Sequence, residues 1–376
     1  MPSLAALDRG RDNNFNLLRA IAALAVIYSH AFALSGKAEL IGGVVSLGTL
    51  GVRTFFVLSG FLITKSFLSR QSLKYFLLAR FFRIYPGAWV SVLICALVFG
   101  PYFTGLSLDA YWHHPAVRTF LWKNFTLLGG VQGTLPQAFP GNVYPVSMNA
   151  SLWTLQYELI LYLITGLLGV LAILQDKKRY AIVLGLTLLG YIFFKTTGFV
   201  NLTAFLKGSG LRTDRWLDLS MLFLTGGAFA VFKSRIPMTW PFAALSFVAV
   251  FASYRWGWRD WVLPISFTYA VLALAFLPKG FFRKFNHLGD YSYGLYIYSF
   301  PVQQALIVLY LRHQQGPILL KNVTPDWEVT PFFFVSSAVT LVFAILSWHL
   351  VEKPGMLLFQ KLTTDKSDGS TVERRW

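Results

Sequence analysis

The sequence predicts an all-α, polytopic integral membrane protein with about ten transmembrane helices. Composition is the first reason. Of the 376 residues, 55% are hydrophobic and only 13% charged, with a mean hydropathy of +0.55, whereas a soluble domain carries roughly 25% charged residues. The second is recurrence. Apolar runs near the length of a bilayer-spanning helix, about 20 residues, stand near 15–35, 44–68, 82–100, 151–174, 180–196, 216–233, 239–254, 260–278, 290–311 and 332–351. The third is where the cations lie. The net charge is +17 and the pI about 9.9, but the basic residues punctuate the apolar runs. That pattern reads as membrane topology and excludes nucleic acid as a partner.

The first run carries Arg19 and His30, eleven residues apart. Close to three helical turns separate them, so both fall on one face, about 16 Å apart along the axis. Ionisable residues inside a membrane helix are costly and by default functional. His30 is the side chain that titrates near neutral pH. Ala31-Phe32-Ala33 resembles a signal-peptidase site, but the run is long enough to span and is expected to stay. The second run contains Gly51-Val52-Arg53-Thr54-Phe55-Phe56-Val57-Leu58-Ser59-Gly60-Phe61-Leu62-Ile63-Thr64. Arg53 is another intramembrane cation, and Gly51, Ser59 and Gly60 permit close helix approach.

Before the third run, Arg80 and Arg83 stand one turn apart in Ala79-Arg80-Phe81-Phe82-Arg83-Ile84-Tyr85-Pro86. Two guanidiniums on one face suit a bidentate grip on phosphate. They also suit a basic inner flank, so the pair alone decides nothing. A long segment, Pro101 to about Ser147, follows on the outer side, rich in Gly, Pro and aromatics. Its rings would pack on sugars or sit at the membrane interface. The fourth run opens on Asn149-Ala150-Ser151-Leu152-Trp153-Thr154-Leu155-Gln156-Tyr157-Glu158. Glu158 is a carboxylate at membrane depth, which needs a partner or a proton. It is expected to orient His30 or to balance Arg19 or Arg53.

Later runs carry fewer signals. Lys177, Lys178 and Arg179 form an inner cluster, as do Arg283 and Lys284. Lys207, Arg212 and Arg215 fit the topology least well. Ser292-Tyr293-Gly294-Leu295-Tyr296-Ile297-Tyr298-Ser299-Phe300-Pro301 places hydroxyls beside a proline that frees carbonyls in a span. Roughly 20 Lys and Arg fall on inner segments and roughly 11 on outer ones when the N-terminus is inside. Both termini are therefore expected in the cytoplasm. Cys95 is the sole cysteine, so no internal disulfide forms. No histidine pair has metal-ligand spacing, and no nucleotide-binding loop or nucleophile elbow is present. The chain divides into one transmembrane domain over 1–360 and a flexible cytoplasmic tail over 361–376.

Taken in order, these motifs resemble acyltransferase family 3, from about Asn14 to Pro354. The family's Arg-x10-His matches Arg19 and His30, and its Arg-x-x-Arg matches Arg80 and Arg83. Phe55 to Ile63, Ser151 to Glu158, Ser292 to Tyr296 and Glu352-Lys353-Pro354 match further signatures. The chain departs where many members carry Asp, here Arg53, and where many carry His, here Ser299. It resembles the stand-alone form without an appended esterase-like domain.

The resemblance implies a multi-pass enzyme of the bacterial inner membrane. It would move an acyl group, acetyl foremost, from acyl-CoA in the cytoplasm to a hydroxyl of a surface or exported carbohydrate, lipid-linked or free. His30 would be the general base, with Arg19 and Glu158 beside it. Arg80, Arg83 and Tyr85 would hold the donor, and Trp153, Tyr293, Tyr296 and Arg53 the acceptor. No resident cofactor and no metal are expected. A transporter or flippase for a lipid-linked sugar or an organic anion is the alternative, because buried Arg, His and Glu also suit a substrate pathway.

Overall fold

The computed structural model describes residues 1–39, 44–197, 211–315 and 328–363. These residues are helical, with isolated β-bridges and no β-strand among them. Ten helices of 17 residues or more follow in order, with two shorter ones of note. They are α1 (Phe15–Leu34), α2 (Leu47–Arg70), α3 (Leu73–Ile94), the short α4 (Pro115–Thr126), α5 (Trp153–Val170), α6 (Lys177–Thr197), α7 (Thr213–Val231), α8 (Trp240–Trp256), α9 (Arg259–Phe276), α10 (Ser292–Gln315), α11 (Val329–Ser347) and α12 (Lys353–Thr363).

Local chemistry sets the boundaries. Asn14 starts α1 where α9 ends: its side chain donates to the carbonyls of Leu274 and Pro278, and its backbone N–H to that of Ala275. The Ser46 hydroxyl accepts from the N–H of Thr49 and caps α2. Gln71, left-handed at φ 52°, ends α2, and Ser72 caps α3 at once. α3 passes through a π-helical turn at Cys95–Phe99 and runs on to Phe103. A second π turn, Trp348–Glu352, joins α11 to α12.

Small residues set the closest crossings, as expected of Gly51 and Gly60. A Cβ on Gly51 would lie 2.5 Å from the Ala22 carbonyl oxygen of α1, and one on Gly60 only 1.9 Å from that of Phe223 in α7. Ser59 faces a cavity instead. Pro301 lies inside α10 and cannot donate to the carbonyl of Ile297. The Asn149 side chain (2.9 Å) and the Ser91 hydroxyl (3.3 Å) donate to that carbonyl instead. The carbonyl that Pro301 leaves free thus becomes the joint that ties the start of α5 and the middle of α3 to α10.

The basic flanks gather at one end. Asp8 pairs with Lys65 and Lys233 (2.8 Å to the latter), Arg283 with Asp12, and the Arg70 guanidinium lies 4.0 Å over Tyr75. Tyr75 in turn packs on Phe359 of α12, at 5.0 Å between centroids. The first residues and the last helix therefore share an end.

The expected count of about ten crossings is not confirmed. All ten apolar runs are helical, but length and apolarity support seven crossings, or eight if the 93° bend between α9 and the turn after it is one span. α7 carries Asp214, Arg215 and Asp218 near its start, and α8 has only 17 residues, so neither qualifies alone. Of the expected tail, Lys361, Leu362 and Thr363 complete α12, and 364–376 lie outside the described residues, as do Lys207 and 316–327. The long aromatic segment is folded onto the bundle. Phe120 and Phe139 are buried, and Asn142 donates to the carbonyl and side-chain oxygens of Gln304 in α10. Trp122, 72% exposed, and Tyr144 stay on the surface.

Candidate functional site

Two cavities lie along α1, one for each of its ionisable residues. The first is lined by Arg19, Ser59, Arg80, Arg83, Glu158, Tyr162 and Tyr293 among others. The second is lined by His30, Lys37, Glu39, Arg53, Trp153, Arg215 and Asp218 among others. Val52 and Tyr296 line both. The Tyr296 hydroxyl shares a 2.7 Å hydrogen bond with that of Thr154, and its ring packs on Phe55 at 5.6 Å. Tyr296 with Val52 thus forms the partition between an arginine cavity and a histidine cavity.

In the arginine cavity the three guanidiniums are not equivalent. Arg83 donates to Asp290 at 2.6 Å and to Glu352 at 3.5 Å, and Arg19 donates to the same Asp290 oxygen at 3.1 Å. Asp290 sits just before α10. Burial alone would raise its carboxyl, but Arg83, Arg19 and the Ser292 hydroxyl hold it below the ordinary carboxylate value. Glu352 also accepts from Ser347 at 2.8 Å. Two carboxylates thus fix Arg19 and Arg83. Arg80 has no ion pair or hydrogen bond among the described residues: its Nε is buried without a partner and its guanidinium lies 5.9 Å from the Tyr162 ring centre. It is the guanidinium of this cavity that no carboxylate engages among the described residues.

Glu158 does not meet His30. It accepts from the Tyr162 hydroxyl and from Ser59 at 3.3 Å, both in the arginine cavity. Both hydroxyls meet the same oxygen, Oε1, and no hydrogen bond joins this carboxylate to His30 among the described residues. His30 packs edge-on against Phe300 at 5.2 Å, with its Nδ1 buried and unpartnered. Among the described residues no carboxylate orients it.

The structure also places the other predicted residues. Tyr293 lines the arginine cavity and donates to the Ile84 carbonyl at 2.8 Å. Tyr85 does not line it: the ring stacks on Phe81 at 4.9 Å and the hydroxyl donates to the Thr126 carbonyl at 2.9 Å. Its helical phase turns it toward α4, away from Arg80. Arg53 lines the histidine cavity but is engaged, by Asp218 at 3.2 Å and by the Tyr254 hydroxyl. Trp153 lines that cavity too, and the Arg215 guanidinium lies 4.2 Å over its ring.

Asp290, Tyr162, Asp218 and Arg215 were not expected. Asp218, from another helix, pairs with Arg53 across the cavity wall. The signal was present for Asp218 and Arg215: charged residues one turn apart at the start of an otherwise apolar helix. Asp290 had none, because it lies in a connection and meets Arg19 and Arg83 only across the fold.

A family profile described as an acyltransferase domain matches residues 12–349. An O-acetyl transferase of Shigella phage Sf6 is 29% identical over 359 residues, covering 91% of this chain and 96% of the relative. Nodulation protein 10 of Rhizobium leguminosarum bv. viciae is 28% identical over 385 residues, covering 93% and 94%. No solved structure matches the chain.

Proposed function

Because the chain belongs to this acyltransferase family, we propose that it carries an acyl group from acyl-CoA in the arginine cavity to a carbohydrate hydroxyl in the histidine cavity. Membership makes it an acyltransferase and sets aside the transporter or flippase. The observation that carries the finer reading is the pair of cavities meeting at Val52 and Tyr296. A donor can anchor its phosphates at Arg80 on one side while its thioester reaches the partition. The acceptor waits on the other side with His30. Such separation keeps a hydrolysable thioester away from bulk water until the acceptor is in place.

In this reaction the acceptor oxygen attacks the thioester carbonyl carbon. His30 takes the hydroxyl proton as the C–O bond forms. The Tyr296 hydroxyl, at the junction, is placed to donate to the developing oxyanion. Collapse breaks the C–S bond, and the thiolate takes up the proton from the imidazolium. Arg19 and Arg83, held by Asp290 and Glu352, keep the wall of the donor cavity positive without drifting into the ligand's place. The basic end of the bundle supports an orientation in the bacterial inner membrane with the arginine cavity and both termini toward the cytoplasm and the histidine cavity outward.

Purified protein in lipid nanodiscs, given acetyl-CoA labelled in the acetyl group and a cell-envelope glycan extract, should place label on the glycan. Label that stays on acetyl-CoA would contradict the donor assignment. Label that appears only as free acetate would contradict the carbohydrate assignment.

A further inference from the structure

Among the described residues, the lining of the histidine cavity holds three cations, Lys37, Arg53 and Arg215, and two carboxylates, Glu39 and Asp218. Arg53 pairs with Asp218, which also takes Lys195 at 2.9 Å, and Lys195 reaches Asp260 at 3.6 Å. That wall closes with two cations and two carboxylates. Lys37 and Glu39 add one charge of each sign to the lining, and Glu39 accepts from the Ser29 hydroxyl and from the N–H of Leu47. Arg215 remains. Among the described residues it makes no ion pair or side-chain hydrogen bond. The nearest acid in sequence, Asp214, is gripped twice by Arg212, at 3.2 and 3.0 Å.

Arg215 is held nonetheless. Its guanidinium lies 4.2 Å over the Trp153 ring, and Trp153 rests edge-to-face on Tyr157 at 5.4 Å. Arg215 and Asp218 are one turn apart and share a helix face, so both reach the cavity that His30 lines. Stacking fixes the guanidinium plane and leaves the N–H fork at its edge free for a planar or tetrahedral anion. Trp153 is then a platform for a cation, and the face that a sugar would need is taken.

We infer that Arg215, seated on Trp153, is an anion subsite for the acceptor, which therefore carries a negative group near the hydroxyl to be acylated: a sugar carboxylate, or the phosphate of a lipid-linked sugar. This rests on the acceptor occupying the histidine cavity. The donor's phosphates have their own cation, Arg80, on the far side of Tyr296.

The test compares cells with and without the intact protein by mass spectrometry of their lipid-linked intermediates and finished glycans. The expected product gains acetyl on an acidic sugar, or on an intermediate still joined to lipid through phosphate. The two arms separate the two sources of the anion. Arg215→Gln should cut that product roughly thirtyfold or more, because a desolvated charge pair is lost. Arg215→Lys should recover part of it, since charge returns but the fork does not. Trp153→Phe, which keeps a ring under Arg215, should retain more product than Trp153→Ala. Membrane levels and melting temperatures of all variants are compared with wild type, and the purified Arg215→Gln protein should show a raised acceptor KM with kcat little altered. Acetylation of a neutral sugar on a finished glycan overturns the inference and leaves acyl transfer standing. Normal product from Arg215→Gln overturns it as well. No acetylated glycan in either cell line overturns the acyl-transfer reading along with it.

Discussion

Arg80 and Arg83 look alike in the sequence, one turn apart on one basic helix, and the fold gives them different work. What separates them is Asp290 and Glu352, more than 200 residues downstream. No local pattern could have shown which arginine was already engaged. Arg83→Gln would leave the buried Glu352 without its cation and Asp290 with Arg19 alone, at a cost of about 3–5 kcal/mol, and should lower the melting temperature of the purified protein. Arg80→Lys removes no internal ion pair and should leave that temperature near wild type, while weakening acetyl-CoA affinity by calorimetry, because a point charge does not reproduce a bidentate contact. Equal donor affinity in wild type and Arg80→Lys would sink the donor assignment. Asp290 adds a pH signature. Its carboxyl is held below the ordinary value of 3.8 by Arg83 and Arg19 against the opposing effect of burial. The folded-state value is depressed, so its stabilising effect is complete above the unfolded value and lost as pH falls through the folded one. The stability gap between wild type and Asp290→Asn should therefore stay constant from pH 8 to about 5 and close only below about 4. A gap that closed near neutrality would mean that the pairing is misread.

At the scale of elements, the pattern of apolar runs marked every long helix among the described residues, because lipid removes the alternatives to helix for a spanning chain. It missed the two π turns, which insert a residue without changing composition. It read Pro301 as a kink that frees a carbonyl; Asn149 and Ser91 fill that vacancy, and only the folded chain brings them there. The small residues were legible as packing sites, and their tightness is testable. Gly60→Ala places a methyl group 1.9 Å from the Phe223 carbonyl oxygen, so α2 and α7 must separate at a cost of roughly 1–3 kcal/mol. Lower yield of monodisperse protein in detergent is the expected result, whereas Gly185→Ala, in open space, should behave as wild type. The partition is testable as well. With Cys95 replaced by Ala, a cysteine at position 30 should resist a membrane-impermeant thiol reagent applied from the arginine-cavity side. Tyr296→Ala should let the reagent through. Equal labelling with and without Tyr296 would show that this side chain divides nothing.

For the whole molecule, the basic end of the bundle unites the first residues, the turns at 71–72 and 232–239, and α12. The positive-inside reading anticipated that grouping from charge alone, since Lys65, Arg70, Lys74 and Arg283 needed only counting. It could not give the number of crossings, because α7 opens with three charged residues and α8 has only 17 residues. Reporter fusions after Arg70, Arg179 and Arg283 should all read cytoplasm, and one near Gln132 the opposite side. Agreement between Arg70 and Gln132 would break the proposed orientation.

The central claim is that chemistry occurs at His30 while the donor is held across the partition, and one measurement separates those two duties. Acetyl transfer by purified His30→Ala is compared with wild type at matched acetyl-CoA occupancy, established by equilibrium binding on the same samples. Loss of a general base typically slows a reaction 10²–10⁴-fold, so transfer should fall by about that much while acetyl-CoA still binds as tightly as to wild type. Transfer by His30→Ala within a few-fold of wild type would contradict the account.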